Sequence, residues 1–257
     1  MQLNYQQYSK SGKPLLILHG LFGSLGNWGW HSKQFADKFA VIGADLRNHG
    51  ESAHSEEMDY PAMAQDIRQL LATLVIDSAY FIGHSMGGKV AMQLALNFPD
   101  LVDKLIIVDI APVTYPASGA GHGDVLDGMR ALDFAVIKSR ADAESELTEF
   151  IQDEPTRKFI LTNLVREESG RYAWRLNLRA IQNNYDELRQ RPSATSSYNK
   201  PVLFVKGADS AYIQARNDAA ILELFPNAKV KTIMQAGHWL HAEKPQAFQK
   251  IALDFLL

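Results

Sequence analysis

The sequence contains no cysteine. That excludes disulfides, thiolate metal sites and a cysteine nucleophile, and it is compatible with a reducing compartment. No segment approaches the roughly 18 consecutive apolar residues of a membrane-crossing helix. The opening residues, Met1-Gln2-Leu3-Asn4-Tyr5-Gln6-Gln7, lack a basic region followed by an apolar stretch. A cytoplasmic protein without membrane insertion is expected. Neither sign of charge is in large excess: the formal net charge is -3. Bulk attraction to nucleic acid or to an anionic membrane is therefore not expected. Internal repeats and low-complexity tracts are also missing. What is present is ordinary for a globular protein, with 257 residues, 46% hydrophobic and 21% charged. That suffices for one large core, or a core carrying an insertion.

Short apolar runs alternate with helical patterns in the first part of the chain. Residues 3–9 read as a first strand. Pro14-Leu15-Leu16-Ile17-Leu18, Ala40-Val41-Ile42-Gly43-Ala44, Ala79-Tyr80-Phe81-Ile82 and Lys104-Leu105-Ile106-Ile107-Val108 read as strands covered on both faces. Helical faces lie between them, one of them marked by Met63, Ile67, Leu70, Leu71 and Leu74. The alternation resumes with Val202-Leu203-Phe204-Val205-Lys206 and Lys229-Val230-Lys231-Thr232-Ile233-Met234, and Pro245 opens a closing helix. Strands alternating with helices imply an α/β protein with a mostly parallel sheet. In such sheets ligands bind beyond the C-terminal strand ends. His19, Asp45, Ser85, Asp109, Asp209 and His238 all fall at such ends.

Between Pro112 and Lys200 the pattern breaks. Residues 118–123 are glycine-rich and read as mobile. Helical stretches follow around residues 124–137, 141–152, 155–165 and 177–189, the last with Asn177 as N-cap. The expected organisation is a core of residues 1–112 and 201–257, with residues 113–200 inserted as a helical cap.

Gly83-His84-Ser85-Met86-Gly87 fits G-x-S-x-G, a strand-to-helix turn that lifts a serine hydroxyl above the sheet. A serine hydroxyl needs a base within hydrogen-bond reach, and the base needs an orienting partner. His238, after the last strand and a glycine, is the preferred base. His241 is the rival, and the pair as a metal site lacks a third ligand of convincing spacing. No metal is expected.

The motifs His19-Gly20-Leu21-Phe22-Gly23-Ser24, Asp45-Leu46-Arg47-Asn48-His49-Gly50-Glu51-Ser52, Gly83-His84-Ser85-Met86-Gly87-Gly88, Val108-Asp109-Ile110-Ala111-Pro112 and Gly237-His238-Trp239-Leu240-His241-Ala242-Glu243-Lys244-Pro245 occur in this order. Together they resemble the α/β-hydrolase superfamily, and within it the small capped bacterial carboxylesterases. The resemblance covers the chain outside the insertion. It implies the α/β-hydrolase fold, Ser85 as nucleophile and His238 as base. It also implies an oxyanion hole from backbone N–H groups, one on Met86 and one on Leu21, with Phe22 next in line for the second. His19 is expected to brace that loop without a catalytic role.

The acid has two candidates. The commonest family arrangement places it after the penultimate strand in a G-x-x-D pattern. Here Ser210 occupies that place and Asp209 comes one residue early. Asp109 ends the strand that follows the serine strand in sequence and should neighbour it. The superfamily also uses that position, so Asp109 is preferred over Asp209. Asp45 is assigned to ordering its own turn.

The cap supplies Met129, Leu132, Phe134, Phe150, Phe159, Leu161, Trp174 and Tyr185, either for an apolar acyl tunnel or for its own core. Arg157, Lys158, Arg166, Arg171, Arg175 and Arg179 could attract an anion or simply belong to a mixed-charge surface. The expected activity is a cofactor-free serine carboxylesterase or thioesterase acting on a small acyl ester or thioester. Dehalogenase and epoxide-hydrolase relatives carry aspartate at the nucleophile position, unlike Ser85. The alternatives are another triad-based reaction, such as a lyase or perhydrolase reaction, and a non-catalytic ligand-binding protein. Oligomeric state is not legible.

Overall fold

The computed structural model describes residues 1–117 and 122–257. Of the segment 118–123 expected to be mobile, residues 118–121 lie outside the described residues. Among the described residues the main sheet has seven strands: β1 (Tyr5–Gln7), β2 (Lys13–Leu18), β3 (Phe39–Ala44), β4 (Ala79–His84), β5 (Val102–Val108), β8 (Val202–Gly207) and β9 (Ala228–Ile233). Three helices interleave with the first five strands: α1 (Gly29–Phe35), α2 (Tyr60–Thr73) and α3 (Met86–Asn97). Asp59 caps α2 by accepting the Ala62 N–H at 2.7 Å, and Phe98-Pro99 ends α3.

Among the described residues between β5 and β8 lie five short helices: α4 (His122–Ala131), α5 (Arg140–Leu147), α6 (Glu154–Leu161), α7 (Leu178–Asn183) and α8 (Tyr185–Arg189). The sequence pattern suggested one helix over 177–189. The structure divides it at Asn184, whose side-chain amide donates to the carbonyls of Ala180 at 2.8 Å and Glu56 at 2.7 Å. Asn177 caps α7 by accepting the Ala180 N–H at 3.2 Å. A small antiparallel hairpin, β6 (Leu164–Arg166) with β7 (Tyr172–Trp174), sits between α6 and α7. Tyr172 and Trp174 alternate along β7, with Arg166 opposite Tyr172 and Leu164 opposite Trp174 on β6. The chain closes with β8 (Val202–Gly207), α9 (Asp218–Leu224), β9 (Ala228–Ile233), α10 (Leu240–Glu243) and α11 (Pro245–Leu256).

The sheet order is β1-β3-β2-β4-β5-β8-β9. β1 pairs antiparallel with β3, and every other pairing is parallel. β2, β3, β4 and β5 are buried because helices cover both faces, which explains their unbroken apolar runs. β4, β5, β8 and β9 are consecutive, so their C-terminal ends form one row.

Two backbone bonds extend the ladder past the strand ends. Ser85 N–H donates to Val108 O at 3.0 Å, and Asp109 N–H donates to Val205 O at 2.9 Å. Both residues then turn sharply, with φ of 50° at Ser85 and 52° at Asp109. Non-glycine residues in that region are strained by about 1–3 kcal/mol, held only by surrounding structure. The surroundings at Ser85 are tight. A Cβ on Gly83 would lie 2.4 Å from Gly87 O, and one on Gly87 would lie 2.4 Å from His19 O. Gly83→Ala is expected to lower unfolding stability by about 1–3 kcal/mol through overpacking. Urea denaturation measures it, and an unchanged midpoint would contradict the tight-turn account.

Candidate active site

The parallel row places Ser85 after β4, Asp109 after β5, Gly207 to Ser210 after β8, and His238 after β9. His238 Nδ1 lies 2.8 Å from Asp109 Oδ2. As a carboxylate Asp109 can only accept, so the imidazole donates from Nδ1 and keeps its Nε2 lone pair free. Asp109 is 0% exposed. Its other oxygen accepts the Gly207 N–H at 3.1 Å, and Oδ2 also accepts a hydrogen bond from the Ser210 hydroxyl. Asp209, the rival acid, is exposed, and its N–H donates to Ala236 O at 3.0 Å. The residue in the common family position is thus Ser210, which supports the Asp109 carboxylate rather than replacing it.

Ser85 and His238 line one cavity, with Phe22, Phe159 and Trp239 among its other walls. A second cavity opens on the other side of Ser85, toward Met86, Lys89 and Tyr212. Among the described residues no hydrogen bond joins the Ser85 hydroxyl to His238. Such contacts often tighten only when substrate arrives. The Tyr212 ring stacks on the His238 ring with centres 4.0 Å apart, fixing its plane.

Neutral histidines hold the loops around Ser85. His49 Nε2 accepts the Phe22 N–H at 3.1 Å, and His19 Nε2 accepts the Leu46 N–H at 3.0 Å. Both accept because burial keeps them unprotonated: His19 is pushed below its ordinary value and His49 down to about 3. Phe22 is therefore committed. Leu21 N–H and Met86 N–H have no protein acceptor among the described residues. Gly20 brings the Leu21 loop against the serine, since a Cβ there would sit 3.3 Å from Ser85 Cβ. Asn163 Nδ2 donates to Phe22 O at 2.7 Å, so the segment between β5 and β8 also grips this loop.

His84 Nε2 lies 3.0 Å from His238 O. Burial first, then the neighbouring His241 and His238, hold His84 well below its ordinary value, so it donates as a neutral ring. His241, the rival base, stacks on Trp28 with centres 4.3 Å apart and is driven by burial down to about 3. It faces the interior and not Asp109.

A model of the alpha/beta hydrolase fold family matches residues 13–245. The chain belongs to the α/β-hydrolase family. It is 39% identical over 249 residues to the sn-1-specific diacylglycerol lipase ABHD11 of Mus musculus, covering 94% of this chain and 80% of that protein. It is 35% identical over 260 residues to Esterase YbfF of Escherichia coli, covering 100% of this chain and 99% of the relative. A solved marine microorganism esterase superposes with a TM-score of 0.96 at 38% identity, covering 99% of both chains. The resemblance to small esterases stands on these likenesses. No helix among the described residues is long and apolar enough to cross a membrane.

The basic residues noted in the inserted stretch are not at the site. Arg175 pairs with Glu51 at 3.1 Å, Arg179 pairs with Glu56, and Lys158 pairs with Glu154 at 2.5 Å. Arg157 donates to the Ile151 and Gln152 carbonyls, and Arg166 to Gly170 O. None of these lines either cavity beside Ser85. Of the apolar candidates, Phe159 and Tyr185 reach the cavities, while Met129, Leu132 and Leu161 are core. Sequence reasoning missed Lys89 and Tyr212. Lys89 had a signal, because it follows Ser85 by one helical turn and shares its face.

Asp109→Asn is expected to lower kcat/KM for an ester by about 1000-fold or more, since the wrong imidazole tautomer is then favoured. Asp209→Asn should stay within about threefold, as an exposed substitution does. Steady-state kinetics on both variants check this, and the reverse order would move the acid to Asp209.

Proposed function

We propose that the protein is a serine carboxylesterase or thioesterase working through Ser85, His238 and Asp109. The observation that carries this reading is the 2.8 Å His238–Asp109 hydrogen bond beside the cavity that holds Ser85. Residues 113–200 act as a cap over a core of residues 1–112 and 201–257, and the cap shapes the substrate space.

His238 Nε2 takes the Ser85 hydroxyl proton as Oγ bonds to the acyl carbon. The carbonyl π-electrons move to oxygen, and the N–H groups of Leu21 and Met86 hold that oxyanion. Met86 opens α3, so the helix N-terminus adds favourable potential for the charge. The tetrahedral centre collapses, the alkoxide or thiolate departs, and His238 returns the proton to it. Water then attacks the acyl-enzyme, losing a proton to His238, and a second collapse frees the acid and restores the Ser85 hydroxyl. Asp109 keeps the imidazole oriented and stabilises its cationic form, while Ser210 and Gly207 N–H keep the carboxylate in place.

The esterase and lipase names of the relatives favour ester hydrolysis over the lyase, perhydrolase and binding-protein alternatives. A fluorophosphonate probe is expected to label the native protein at Ser85, identified by peptide mass spectrometry, and to spare Ser85→Ala. A folded native protein that takes no label would sink the serine-nucleophile reading and favour a binding protein.

A further inference from the structure

Among the described residues, the cavity that Ser85 shares with Lys89 is lined by two cations, Lys89 and Arg189, and by no carboxylate. Lys89 is 1% exposed. Its Nζ donates to Arg189 O at 3.0 Å and Gln190 O at 2.5 Å. It also lies 5.4 Å from the Tyr60 ring centre and 4.9 Å from that of Tyr115. No partner among these carries a full negative charge. Burial, and then the Arg189 charge, pull the ammonium down to about 7. A buried ammonium facing only carbonyls and ring faces is costly unless an anion completes the set.

Arg189 adds an unmet donor of its own. Its Nη1 donates to Tyr115 O at 2.7 Å, and its Nη2 pairs with the exposed Asp186 at 2.5 Å. Its Nε–H is buried and has no acceptor among the described residues. Buried donors without partners are uncommon and call for an explanation. Lys89 and Arg189 thus bring two cations to the wall of one cavity, and neither the Lys89 ammonium nor the Arg189 Nε–H has a carboxylate partner among the described residues. A carboxylate has two oxygens to meet them.

Position then decides which half of a substrate carries that carboxylate. His238 lines the other cavity, and His238 must protonate the departing oxygen or sulfur. The leaving group therefore occupies the cavity walled by Phe22, Phe159 and Trp239, and the acyl group extends toward Lys89. Lys89 follows Ser85 by four residues along α3, a rise of about 6 Å, so a short acyl chain spans the gap.

We propose that this cavity is an acyl subsite in which Lys89 and Arg189 bind a free carboxylate at the far end of the acyl chain. The substrates it selects are half-esters or half-thioesters of short dicarboxylic acids. The proposal rests on the reading of Ser85 as nucleophile, and it names the substrate class for that site.

The test compares monoethyl glutarate with ethyl pentanoate, esters of equal acyl length that differ in the terminal carboxylate. The native enzyme should favour the half-ester in kcat/KM by about tenfold or more, the scale of one charge-assisted contact. Lys89→Met and Arg189→Met should each reduce that ratio, whatever happens to the absolute rates. Equal turnover of both esters, or a preference for ethyl pentanoate, overturns the proposal and leaves the esterase reading intact. A preference that survives both substitutions also overturns it, because a merely structural lysine and arginine would leave the ratio alone. Where the probe labels Ser85 but neither ester turns over, glutarate should protect Ser85 from labelling better than pentanoate; equal protection overturns the proposal. A folded protein that hydrolyses neither ester and takes no probe sinks the esterase reading together with it.

Discussion

Asp109 and His238 stand at the ends of β5 and β9, with β8 between them, and still meet at 2.8 Å. The rest of the site depends on that span. Asp109 must leave its strand in a left-handed conformation to reach across, with φ of 52°. The Val205 carbonyl anchors its N–H, and the first residues after β8 meet its carboxylate from below. The strain is tolerable because the carboxylate gains three hydrogen-bonded partners in a position with no access to water. Ser85 repeats the arrangement one strand over, anchored to Val108 O and turned out of the sheet.

Around these residues the protein uses buried histidines as neutral connectors. His19 and His49 accept backbone N–H groups, and His84 faces the His238 carbonyl. Burial keeps each below its ordinary value, so each ring offers one acceptor and one donor without a charge to solvate. Lys89 is the exception, a cation retained in the interior without a carboxylate. Its contrast with the silent histidines is what singles out the cavity it lines.

Much of the fold was legible in periodicity. Continuous apolar runs at β2, β3, β4 and β5 mark strands covered on both faces, and the glycines at 83 and 87 mark the turn. The aspartate that meets His238 was legible only as a choice between two residues. Asp109 and Asp209 both end strands, and a one-residue offset in the turn after β8 decides whether a side chain points in or out. The outcome is an exposed Asp209 and a buried Ser210. Residues 113–200 were legible as helical, but the break at Asn184 and the β6 partner of Tyr172 and Trp174 were not. Both depend on contacts distant in sequence, including the Glu56 carbonyl that Asn184 meets.

The sequence by itself determined the alternation of strand and helix, the tight turn at Ser85 and the positions of Ser85, Asp109, Asp209 and His238 at strand ends. These are local: they follow from side-chain period, from the space that glycine leaves, and from which residues end strands. Only the tertiary structure decided which aspartate meets His238, which loop N–H groups have no acceptor among the described residues, and which cations line the cavity. Those depend on strand order and on burial. Arg175 and Arg179, prominent in the sequence, are spent on surface glutamates, whereas Lys89, unremarked in it, is enclosed beside Ser85, its ammonium held by the carbonyls of Arg189 and Gln190 at the end of α8.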